Sequence, residues 1–155
     1  MEEGTITTSF DMKDIVSVNL SEIDDRYLVS NPTLQKMHQE ADAIQSYLEQ
    51  NVDLNDINML PYRLAQLDAY LHRLSDMQSR AKAMKEYAKM SFLSQNEQAI
   101  TKMTATNSNR LLASVLCEFT VTADRIDAMH NSVSQACKNI SIQISWIKKT
   151  MEFGG

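Results

Sequence analysis

Apolar residues recur at helical intervals along most of this chain. Leu34, Met37, Ala41, Ile44 and Leu48 follow one another at spacings of 3, 4, 3 and 4, which lays a single stripe along a helix. Asn31 and Pro32 stand just before it, a capping residue type and a proline suited to the first turn. The pattern predicts a first helix from Pro32 to near Asn51. A short helical turn is expected over 53–58, and Pro61 then opens a second helix. Its stripe is Leu60, Leu64, Leu67, Leu71, Leu74, Met77, Ala81, Met84 and Ala88. It is expected to end near Phe92, roughly 50 Å from its start.

Ser94-Gln95-Asn96-Glu97 reads as the clearest loop, with 99–103 a short helical continuation. Thr104 to Asn109 is rich in N-cap residue types. A third stripe then takes in Leu112, Val115, Phe119, Thr122, Ile126, Met129, Val133, Ala136, Ile140, Ile144, Ile147 and Met151. Its mean spacing is about 3.5 residues, between the α-helical and coiled-coil periods. No breaker interrupts it, so one helix of roughly 65–70 Å is predicted. Ile140 to Trp146 alternates as a strand would, but no turn residues flank it and it is kept helical. Residues 1–30 are the least regular. Residues 15–20 have the make-up of a short strand, yet a lone strand is unstable, so an arm packed on the helical body is expected. The fold class that follows is all-α: an elongated antiparallel helical hairpin or bundle over 31–153, with about three main helices and a very long C-terminal one.

Composition narrows the chemistry more than the fold. No glycine occurs between Thr5 and Phe153, and the prolines are Pro32 and Pro61. Without glycine there is no P-loop, no dinucleotide fingerprint and no G-x-S-x-G elbow. Apolar residues make up 43% and charged residues 23%, the balance of an ordinary globular chain. No apolar run reaches the 18 residues of a membrane span. The start, MEEGTITTSFDMKD, is acidic where a secretion signal is basic. A cytoplasmic protein with no membrane association is therefore expected. Ten methionines are many for this length; Met37, Met77, Met84, Met129 and Met151 fall on the stripes as core filler.

The net charge of −5 conceals a division. Residues 1–60 carry 12 acidic and 3 basic side chains, and residues 61–155 carry 8 acidic and 12 basic. Such polarity can orient self-assembly or set an acidic segment over a basic helix. Within the basic part, Arg73, Arg80, Lys82, Lys85 and Lys89 line the second helix, and Lys102 and Arg110 bracket the start of the third. Free backbone N–H groups there, with Thr106 and Ser108, suit a phosphate. If the end of helix two meets the start of helix three, Lys85, Lys89, Lys102 and Arg110 converge on one tip that would take a phosphate-bearing ligand or nucleic acid. A solvated basic face accounts for the same residues.

Catalytic and metal signatures are sparse. His72 has Asp68 and Asp76 one turn away, and His130 has Asp127 and Cys137 on its helix. No H-E-x-x-H, C-x-x-C or Glu-x-x-His pattern accompanies them, so ordinary helix-surface pairs are expected and neither a metal nor a cofactor is assigned. Cys117 and Cys137 lie 20 residues apart on one predicted helix, roughly 30 Å, too far to bridge, and are expected as buried thiols. A non-enzymatic protein is the expectation.

Helix length supplies the functional clue. The second helix covers about three-quarters of the third, and the surplus end is apolar on two sides. Ile140, Ile144, Ile147 and Met151 share one side; Ile142, Trp146 and Phe153 lie on another. A helix apolar on two faces needs two partners. The first helix and the arm provide one, and a second subunit is the economical candidate for the other, giving a homo-oligomer that also engages another protein.

The run Leu60, Leu64, Leu67, Tyr70, Arg73, Arg80-Ala81, then Thr101-Lys102, then a long helix closing with Ile144, Trp146-Ile147-Lys148, resembles small all-helical bacteriophage proteins encoded beside recombination or early-region genes. The resemblance covers about residues 34–152. It implies an accessory protein of a phage or prophage, bound to host or phage machinery, of a kind that counters a host defence. It brings no catalytic residues.

Overall fold

The computed structural model describes residues 30–154, so the arm expected over 1–30 lies, apart from Ser30, outside the described residues. The chain is all-α, with no strand among the described residues. Among the described residues the helices are α1 (Pro32–Leu48), α2 (Leu60–Gln95), α3 (Glu97–Thr101), α4 (Ala105–Val115) and α5 (Cys117–Phe153). The Ile140 to Trp146 stretch is helical, as the lack of flanking turns required.

Helix α1 starts where the capping signal placed it. Asn31 Oδ1 accepts the backbone N–H groups of Thr33 at 2.9 Å and Leu34 at 3.3 Å, which otherwise lack intrahelical partners. It stops at Leu48, three residues short of the expected end. Arg63 Nη2 donates to Tyr47 O and Leu48 O, and Gln50 N bonds to Tyr47 O in a tighter last turn, so the final carbonyls are satisfied without more helix. Asp53 and Asp56 shape the connection. Each turns one carboxylate oxygen back onto backbone N–H groups, of Asn55 in the first case and of Asn58 and Met59 in the second.

Two expected boundaries are corrected. The loop over 94–97 contracts to Asn96 alone, with Ser94 and Gln95 in α2 and Glu97 in α3. Asn96 is buried, and both its backbone N and its Nδ2 donate to Phe92 O, at 3.1 and 2.9 Å, so the turn folds back on the helix it ends. The single third helix is instead α4 and α5, parted at Leu116. Val115, Leu116, Glu118 and Phe119 are all buried; on a straight helix they would spread over about 160°, wider than one stripe. The break also removes the predicted length mismatch, since α2 has 36 residues and α5 has 37.

By proximity the chain groups into two compact units, one of residues 30–38 with Ser79–Asp124, the other of Gln39–Gln78 with 125–154. In the first, Leu34, Met37, Phe92, Val115, Leu116 and Phe119 are buried around a polar cluster. Glu118 Oε2 accepts from both the N–H and the hydroxyl of Ser30, at 2.9 and 3.0 Å, tying down the entry to α1. Its Oε1 is buried without a hydrogen-bond partner. Thr122 donates its hydroxyl proton to Glu118 O, so His38 Nε2, 2.9 Å from Thr122 Oγ1, is the donor of that pair.

In the second unit the core is Ala41, Ile44, Leu67, Leu74, Met77, Ile126, Val133 and Ile140. Ion pairs join Arg73 to Glu40 at 2.6 Å and Arg125 to Asp42. Two of the methionines expected as filler depart from that role: Met84 is half-buried, and Met151 is exposed at the end of α5.

Candidate functional site

The last four turns of α5 carry apolar side chains on two opposed faces. Ile140 and Ile147 are buried at 5% and 9% exposure, and Ile144 is half-buried beside them. On the other side Ile142, Trp146 and Phe153 remain 67%, 57% and 89% exposed. These three recur at i, i+4 and i+11 within about 40° of arc, and Lys149 at i+7 lies about 20° beyond its edge. Met151 is 63% exposed although its register is that of the core face. One neighbour could not be read from periodicity. Gln143 Nε2 donates to Leu54 O at 2.8 Å, which brings exposed Leu54 from the α1–α2 connection to the edge of the outer face.

The basic residues are divided between the two compact units. Arg73 is held by Glu40 through two 2.6 Å hydrogen bonds and by Asp76 at 3.1 Å. Hydrogen bonding and charge from Glu40 raise its guanidinium pKa further above the ordinary value. It belongs to the second unit, whereas Arg80, Lys82, Lys85, Lys89, Lys102 and Arg110 belong to the first. Of these, Lys85 and Lys89 line a groove of about 320 Å³ with Asn109, Leu112, Leu116 and Thr120, and Glu86 stands at its wall. Lys102 caps the end of α3, and Arg110 is exposed on α4 outside that groove.

The titratable groups near the histidines have separate partners. His130 Nε2 lies 3.2 Å from Ser75 Oγ, Asp127 accepts from Gln78 at 2.8 Å, and Asp76 pairs with Arg73. Cys137 donates to Asp68 Oδ1 at 3.5 Å, and burial, then that carboxylate, push its thiol pKa up to about 11. Cys117, expected buried, is exposed. The burial expected for that position is taken instead by Leu116 and Glu118 on either side. No group of three or more His, Cys, Asp or Glu side chains is placed to hold a metal among the described residues. No helix among them is long and apolar enough to cross a membrane.

Comparison with protein families, curated proteins and solved structures finds no match to this chain. The likeness to small phage proteins therefore rests on the residues quoted for it.

Proposed function

We propose that this is a non-enzymatic helical protein that self-associates, and binds a macromolecular partner, through the outer face of α5. The exposure of Ile142, Trp146 and Phe153 on the side opposite the buried Ile140 and Ile147 carries the reading. A buried aromatic removes on the order of 150 Å² or more from water, so at ~25 cal/mol/Å² the three residues of one copy gain about 10 kcal/mol. Association costs roughly 4–15 kcal/mol. One copy's face alone therefore leaves association near balance, and a partner presenting an apolar face of its own tips it toward binding. A second copy related by two-fold symmetry presents one by construction. Light scattering on the full chain is expected to give a mass above 17.6 kDa at about 100 μM, with Trp146→Asp returning it to the monomer. A 17.6 kDa species throughout would remove self-association from the reading.

A second reading is favoured by one observation, the meeting of Lys85 and Lys89 with Asn109 in a single groove. It makes the first unit a binding module for a phosphate-bearing ligand or nucleic acid. Two lysines neutralising two phosphates give a salt slope of about −1.4 for a single strand, so affinity for an oligonucleotide should fall about sevenfold from 50 to 200 mM salt. Lys85→Glu should abolish binding. Affinity indifferent to salt and to this substitution rules the second reading out.

A further inference from the structure

A cavity of about 690 Å³ opens where α1 ends and α2 begins, within the roughly 300–1,000 Å³ of small-molecule sites. All of its lining lies in the second unit. Its walls combine aromatic rings with carboxylates. Tyr47 and Tyr70 meet edge to face, with centroids 5.3 Å apart, and Tyr62 stands 74% exposed at the opening. Asp53 and Asp56 line the same space. Each directs Oδ1 to the backbone of the connection, and neither Oδ2 has a hydrogen bond or ion pair among the described residues.

The cation already present is committed elsewhere. The Arg63 guanidinium lies 4.6 Å from the Tyr47 centroid and donates to the last carbonyls of α1. It answers the negative end of that helix and leaves the two carboxylate oxygens unmatched. An anionic ligand would meet both carboxylates. A wholly apolar one would bury them without partners, which is costly. A cation on an aliphatic stem satisfies the carboxylates with its head and lies against the tyrosine faces.

We propose that this cavity binds an organic cation, an ammonium or guanidinium group on an aliphatic stem, carried by a free polyamine or by the lysine and arginine side chains of a peptide. The site uses none of the residues of the outer α5 face, so it stands or falls separately from self-association.

Calorimetric titration of the full chain with spermidine and, in parallel, with tetralysine amide tests it. Saturable binding of at least one is expected with Kd between about 10 μM and 1 mM, the range of a site built on a few exposed charges and rings. Asp53→Asn with Asp56→Asn keeps the side-chain oxygen that holds each turn but removes the charge, and should weaken binding about tenfold. Tyr62→Ala leaves every hydrogen bond of the connection intact and should weaken it about threefold, which keeps the test decisive if the double variant does not fold. Glu97→Gln and Asp124→Asn, acids outside the cavity, should leave affinity unchanged. Binding of spermidine alone identifies a polyamine site, of tetralysine alone a peptide site, and of both a site for the cationic head whatever carries it. The proposal is overturned if neither probe binds saturably by about 5 mM, or if neither the Asp53/Asp56 double substitution nor Tyr62→Ala weakens binding.

Discussion

In the first unit the buried side chains of His38 and Thr122 meet across 84 residues, and one substitution addresses that contact. Thr122 is fully buried between His38 and the carbonyl of Glu118. Thr122→Val preserves shape and removes the hydroxyl, leaving the imidazole donor without its acceptor, and is expected to cost about 1–3 kcal/mol in urea unfolding. The cysteines differ by environment. Exposed Cys117 should react with a thiol reagent in the native state at neutral pH, and Cys137 should not, because burial and Asp68 hold its thiol protonated up to about pH 11. A folded-state pKa raised from 9.0 to about 11 makes the native protein bind the proton more tightly than the unfolded chain. Its contribution is complete below pH 9 and is lost between 9 and 11. Cys137→Ala should flatten stability over that window, as followed by unfolding at fixed pH steps.

At the scale of elements, caps and tertiary contacts decided where helices stop. The start of α1 was legible because Asn31 and Pro32 are adjacent to the first stripe and act locally. Its end depends on Arg63, 15 and 16 residues onward from the carbonyls it caps, and nothing in the 48–51 stretch itself signals that. Arg63→Met should fray the end of α1 and cost about 1–2 kcal/mol, read from the unfolding midpoint and from faster amide exchange at Gln50. The polar run Ser94 to Glu97 carried a loop's composition, yet Asn96 satisfied itself on Phe92 and most of the run joined the helices. The break at Leu116 has no glycine or proline to announce it. It follows from four buried residues crowding one turn, a demand set by what surrounds the turn.

For the whole molecule, the informative contrast is between the two faces of α5. Ile147→Ala opens a space in the core and should cost about 2–5 kcal/mol of stability. Ile142→Ala lies on the outer face and should stay within about 0.5 kcal/mol for the unfolding of the monomer while weakening self-association. Urea unfolding below the association range, paired with sedimentation above it, separates the two effects. The length mismatch that first pointed to this end of the chain is gone, since α2 and α5 are nearly equal. What persists is the two-faced pattern of 140–153, because it follows from residue spacing and not from helix length.

The sequence by itself determined that the chain is helical, where its apolar stripes run, and that the end of α5 is apolar on two sides. Those are properties of spacing within a few residues, and the α-helix converts such spacing directly into faces. Only the tertiary structure decided which face of α5 is covered, that Arg73 is occupied by Glu40 while Lys85 and Lys89 share a groove, and that Tyr47, Tyr62, Asp53 and Asp56 enclose one cavity. The physical reason is range. Ser30 meets Glu118 across 88 residues and His38 meets Thr122 across 84, and pairings at such separations are fixed by packing, which no local period encodes.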